Sequence, residues 1–188
     1  MRIACLLLLV VFSASVRAQT PGGAAALYTR EDLLFLHHMI VHHEQALDLT
    51  ALVPSRSTRD EFIRFARQVD RAQRAEIEEM KSLLALAAER GMTVSDHDLH
   101  TDALMPGILS KARMNALAAA TGPAFERLWL EGMIFHHEGA LTMGRDQQRR
   151  QFEGRRRPYG IDVLVDEILV VQRAEITQMK AWLERWGP

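Results

Sequence analysis

The chain has 188 residues, 48% of them hydrophobic and 25% charged, enough for one domain with a substantial buried core. Lys and Arg number 23 against 24 Asp and Glu, a formal charge of −1, which excludes the strongly basic surface that nucleic-acid recognition requires. The single cysteine, Cys5, excludes a disulfide framework and a thiolate metal cluster.

Met1 and Arg2 precede an apolar run from Ile3 to Phe12 and then SASVRAQT, in which Val16-x-Ala18 offers the small residues that signal peptidase cleaves after. Residues 1–18 are therefore expected to be a secretory signal, and 19–188 a single domain. The run is too short to span a bilayer, and no later stretch reaches the roughly 20 apolar residues a span needs. The mature chain is thus expected to be secreted, to the periplasm, and soluble. Losing the signal removes Cys5, Arg2 and Arg17, leaving 21 basic against 24 acidic residues, a charge of −3.

From there the apolar residues recur at helical spacing almost throughout. A first long helix is expected from Thr29, whose hydroxyl can cap it with Asp32 three residues on, to just before Pro54. A second starts after Thr58, with Glu61 completing a capping box, and runs to about Arg90, where Gly91 supplies the stop. The linker MTVSDHDLHTDALMPG is rich in turn formers, and its His97 and His100 read as solvated. Ser110 to about Ala120 makes a short helix, broken by Thr121-Gly122-Pro123, from which a third long helix runs to about Gln151. The loop EGRRRPYG, with arginines expected in solvent, leads to the fourth, Ile161 to about Trp186.

An internal repeat organises these elements. MIVHHEQAL at Met39 is answered by MIFHHEGAL at Met133: Met39, His42, His43, Glu44, Ala46 and Leu47 each recur 94 positions on. QRAEIEEMK, from Gln73, is answered by QRAEITQMK, from Gln172, at 99 positions, which places a five-residue insertion in the arginine-rich loop. The unit is a two-helix hairpin, covering about 29–91 in the first copy and about 123–186 in the second. Two such hairpins packed face to face make an all-α four-helix bundle.

Seam spacing puts polar groups inside that bundle. On the first helix Phe35, Met39, His42, Ala46 and Leu49 follow steps of four and three, with His43 on the adjoining stripe; Trp129, Met133, His136, Ala140 and Met143, beside His137, repeat this on the third. The second helix carries Gln73, Glu76 and Met80 in its seam and the fourth Gln172, Glu175 and Met179. Buried imidazoles and carboxylates demand partners. In one reading Glu76 and Glu175 accept hydrogen bonds from the histidines while Gln73 and Gln172 fill the remaining valences, and the layer is a structural network. In the other, the histidines and methionines hold a metal with the Glu and Gln behind them as orienting groups.

Residue type narrows the metal. Di-iron bundles use Glu-x-x-His, which does not occur in this chain, and Leu47 and Leu141 stand where the second histidine of His-Glu-x-x-His would be. A thioether three residues before each histidine pair suits copper, above all Cu(I), and by the same softness Ag(I). Met80 and Met179 are equally explicable as core packing. A first turn at Pro54 sets His42 level with Val69 rather than Glu76, a gap of about seven residues or roughly 10 Å, so that a site joining them would need the opposite hairpin or an offset second helix. No nucleophile arrangement, phosphate loop, flavin or haem motif argues for an enzyme, and a redox activity ranks last.

MIVHHEQAL, QRAEIEEM, MPGILS, AAATGPAFERLWLEGMIFHHEGALTM and QRAEITQMKAWL together make the chain resemble the domain of unknown function 305 family over about Asp32 to Leu183. The resemblance implies a ferritin-like four-helix bundle and periplasmic copper binding or copper resistance. Carried over by position, it points to Met39, His42, His43 and Met80 in the first repeat and to Met133, His136, His137, Met143 and Met179 in the second. The chain departs from the pattern at Leu49, the counterpart of Met143, and at Ile108, where the family commonly has methionine; each removes a thioether. Conversely, His37 and His38, whose counterparts are Glu131 and Gly132, give the first repeat two extra imidazoles.

Overall fold

The computed structural model describes residues 27–95 and 105–186; the expected signal, His97, His100 and the last two residues lie outside them. Among the described residues five helices follow in order: α1 (Arg30–Arg56), α2 (Asp60–Ala88), a short α3 (Lys111–Ala119), α4 (Gly122–Glu153) and α5 (Ile161–Trp186). No helix among the described residues is long and apolar enough to cross a membrane.

Local sequence sets most boundaries. Thr29 caps α1 as expected: the Asp32 amide donates to its hydroxyl at 3.1 Å and the Thr29 amide to the Asp32 carboxylate at 2.7 Å. Ser110 caps α3 through the Arg113 amide. At the end of α2, Gly91 takes φ +72 and the Met92 amide reaches back to the Ala87 carbonyl at 3.0 Å, the left-handed stop that glycine permits.

Two expectations at the first turn are corrected. α1 does not end before Pro54 but carries it inside the helix to Arg56. A proline in the last turn removes one hydrogen bond, to the Thr50 carbonyl, and the turn is closed instead by the Ser57 amide on the Val53 carbonyl at 3.1 Å. The Thr58–Glu61 capping box does not form: α2 starts at Asp60 with no side-chain cap, and the Ser57 hydroxyl accepts the Arg59 amide at 3.1 Å while donating to Glu126 at 2.6 Å. α1 thereby runs three residues further than the Pro54 position implied, and the turn is centred near Thr58.

α1 packs on α2 and α4 on α5, the two hairpins meet along α1 and α4, and α3 lies on α4. α1 and α4 run antiparallel. Trp129 Nε1 donates to the Leu49 carbonyl, His136 Nε2 to the His42 carbonyl and Gln147 Nε2 to Asp32, so that partner numbers fall on α1 as they rise on α4. Phe62, Trp129 and Trp182 fill one end of the core edge to face, with Trp186 stacked on Trp182. At the other end the buried Asp32 accepts from Gln147 at 2.6 Å and from Arg156 at 3.0 Å. Arg156, expected in solvent with its neighbours, thus turns inward to compensate a buried carboxylate.

Candidate metal centre

The antiparallel crossing of α1 and α4 brings the two copies of the motif together at mid-bundle. His42 and His136 face each other with ring centroids 3.8 Å apart; His43 lies 6.3 Å from His42 and His137 lies 6.0 Å from His136. Glu76 on α2 closes one end, 2.7 Å from His43 Nε2, and Glu175 on α5 the other, 2.8 Å from His137 Nε2. The result is one row across all four long helices: Glu76, His43, His42, His136, His137, Glu175. All four imidazoles are fully buried. The later first turn brings His43 level with about Gln73, within one helical turn of Glu76, so most of the register gap expected from Pro54 does not arise.

Hydrogen bonding fixes how each ring carries its proton. His42 Nε2 lies 3.0 Å from the Pro106 carbonyl and His136 Nε2 lies 2.9 Å from the His42 carbonyl. A carbonyl oxygen only accepts, so both Nε2 atoms carry hydrogen and each neutral ring keeps a lone pair on Nδ1. In the outer pair Nε2 faces a carboxylate instead, the arrangement that orients metal-bound histidines and makes them better donors. In all four rings Nδ1 is buried and has no hydrogen-bond partner. Burial pushes the His42 pKa down to about 3, and burial with the neighbouring histidines also holds His136 well below the ordinary imidazole value. These two rings are therefore neutral at physiological pH, with their lone pairs free of protons.

Around this row the expected residues divide. Met39 and Met133 lie three residues before His42 and His136, Met80 and Met179 four residues after Glu76 and Glu175, and all four are fully buried. Met143 is half-buried and seven residues beyond His136, roughly 10 Å along the helix, so it is not brought to the row. His37 and His38 are half-buried one to two turns before His42, and His37 lines a separate surface cavity with Met92. Gln73 and Gln172 are buried, but they do not complete the network: both amide atoms of Gln172 and the carbonyl oxygen of Gln73 have no partner. Buried polar atoms are nearly always paired, so this concentration of open valences sets the layer apart from the apolar core around it. Among the described residues no three His, Cys, Asp or Glu side chains converge on one point as a metal site; the unpartnered atoms of the row are the four imidazole Nδ1 atoms and Glu175 Oε1.

Four participants were not foreseen from the sequence. The segment 105–109 lies over the α1/α4 crossing, where the Pro106 carbonyl accepts from His42. Gln45 clasps the segment at both backbone polar groups of one residue, its Nε2 donating to the Leu109 carbonyl at 3.0 Å and its Oε1 accepting the Leu109 amide at 2.7 Å. Gly107, at φ +84, sits so close to α4 that a Cβ there would be 2.6 Å from the His136 carbonyl oxygen, and a Cβ on Gly139 would overlap Pro106. The available signal was the one changed letter within HHE-x-AL, Gln45 against Gly139.

A duplicated helical bundle with a buried histidine and methionine layer between its halves is the class that fold and site define. The sequence model of DUF305, a domain of unknown function, matches residues 32–183, and the chain belongs to that family. Among solved structures it is similar to a DUF305 fragment from Deinococcus radiodurans (30% identity, TM-score 0.67, covering 84% of this chain and 97% of that one). It is also similar to a DUF305 protein of Streptomyces coelicolor described as secreted (27% identity, TM-score 0.69, covering 82% and 93%). A third similar structure is CopM in its Cu(I)-bound form (28% identity, TM-score 0.64, covering 86% and 99%); CopM has also been seen with Ag and with Cu(II). The search of curated proteins found no match.

Proposed function

We propose that the protein binds a soft metal ion, copper before others, in the layer between its two hairpins, and sequesters or hands on that ion outside the cytoplasm. The observation that carries this reading is the set of four buried imidazoles whose Nε2 atoms are committed to acceptors while every Nδ1 is left without a partner. Met39, Met133, Met80 and Met179 stand within about one turn of those rings or of their carboxylates. Imidazole with thioether favours Cu(I) and Ag(I) over the carboxylate-preferring iron, manganese or magnesium. Glu76 and Glu175 would raise the donor strength of His43 and His137 and compensate cationic charge in the layer. The likeness to CopM, which binds Cu(I), Cu(II) and Ag, supports the choice of metal. The expected signal at residues 1–18 supports secretion to the periplasm.

Titration of the mature protein with Cu(I) against a competing chelator tests the reading. At least one equivalent is expected to bind, with the strong site lost in the His42→Ala/His136→Ala double variant. Less than one equivalent, or a titration that the double variant leaves unchanged, would overturn it.

A further inference from the structure

The two copies of the motif lie on antiparallel helices around an approximate two-fold axis between His42 and His136, yet their surroundings differ. His136 donates to the backbone of α1, at the His42 carbonyl, whereas His42 does not donate to the matching His136 carbonyl. Residues 105–109 are wedged there: Gly107 presses against the His136 carbonyl oxygen and Pro106 presents its own carbonyl to His42 at 3.0 Å. The wedge fits α4 because position 139 is glycine, and it is held to α1 because position 45 is glutamine. Exchanging the two letters would put a side chain into Pro106 and remove the clasp on Leu109.

We infer that Gln45 and Gly139 are positioning residues which seat the segment 105–109 so that the Pro106 carbonyl fixes the His42 ring, and that this strap makes His42 the adjustable donor of an otherwise symmetric layer. The inference rests on the reading that the layer binds metal, but its structural half stands without metal. His136 is held by a helix backbone that cannot leave without unfolding α1. His42 is held by a short non-helical segment anchored through one glutamine, one glycine cradle and the buried Leu109. Local opening draws on such segments, which carry few hydrogen bonds of their own. Displacing the strap frees the His42 ring while leaving the other three imidazoles seated.

The test compares wild-type mature protein with Gln45→Leu, which removes both clasp bonds at similar volume, and Gly139→Ala, which pushes the strap off α4. In the metal-free proteins, proton-detected NMR of the imidazoles reports the His42 and His136 Hε2 signals and their exchange with water. Both variants are expected to exchange His42 Hε2 at least about tenfold faster, the scale of losing one buried hydrogen bond, with His136 Hε2 unchanged and helix content retained. In the same proteins Cu(I) affinity is expected to fall roughly 10- to 100-fold, as when an outer-shell partner is lost. Unchanged His42 exchange in both variants, or equal acceleration at His136, would overturn the inference. If the wild type binds no Cu(I), the proposed function fails, and the exchange measurement still decides the strap. If one variant does not fold, the other decides.

Discussion

Burying four histidines in one layer has a cost that protons report. With His42 depressed to about 3 and His136 also well below the unfolded value near 6.5, the unfolded chain binds more protons than the folded one at any pH between these limits. The stability these neutral rings allow is full above pH 6.5 and is lost as pH falls toward 3. Between pH 7 and pH 5, His42 alone lowers the stability of the metal-free protein by about 2 kcal/mol. Urea midpoints at the two pH values check this; equal midpoints would mean that the rings are not held neutral. A second consequence concerns the carboxylates. Glu175→Gln keeps the volume and a hydrogen-bond acceptor for His137 but removes the charge, and is expected to weaken Cu(I) binding roughly tenfold while leaving helix content unchanged. These residues were legible in the sequence because Met-x-x-His-His falls on a helical seam twice. The row itself was not, because it depends on the crossing of α1 and α4, and seam spacing describes one helix at a time.

At the scale of helices and their ends, capping chemistry was readable in part. The Thr29–Asp32 cap is fixed within four residues of chain and forms as expected, whereas the equally local Thr58–Glu61 box does not, because the Ser57 hydroxyl takes the Arg59 amide. Pro54 misled because a proline breaks a helix interior but costs one bond in a last turn, and the three further residues of α1 carry the turn later and bring His43 within a turn of Glu76. Arg156 misled for a different reason. Its partner, Asp32, is 124 positions away, and no local pattern distinguishes it from Arg155 and Arg157. Arg156→Ala is expected to destabilise the protein by about 1 to 3 kcal/mol by stripping a buried carboxylate of its cation, whereas Arg157→Ala should change stability by less than about 0.5 kcal/mol. Paired urea melts check the contrast, and equal effects would remove the assigned role of the Asp32–Arg156 bond.

For the molecule as a whole, duplication predicts the architecture and the structure explains its use. Two hairpins each bearing half a polar layer leave that layer incomplete until they dock, and docking places open imidazole nitrogens of both halves side by side. A ligand that binds this layer binds the folded state alone, so soft metal is expected to raise the unfolding midpoint, by about 2.7 kcal/mol at a hundredfold excess over Kd. Ag(I) should therefore stabilise the wild type and not the His42→Ala/His136→Ala variant; stabilisation of both would locate the ion elsewhere. The strap over the crossing was the least legible part, since it joins a linker to two helices through backbone atoms. Its trace in the sequence is the one letter, Gln45 against Gly139, that differs within HHE-x-AL.

The most direct measurement of the central claim is nitrogen NMR of the imidazole rings on adding one equivalent of Ag(I) to the mature protein. Metal binding in this layer predicts that Nδ1 of His42 and of His136 shift together, with each Nε2 keeping its proton and its hydrogen bond. Rings that keep their metal-free shifts at saturation, or an Nε2 that gives up its proton to the ion, would contradict it.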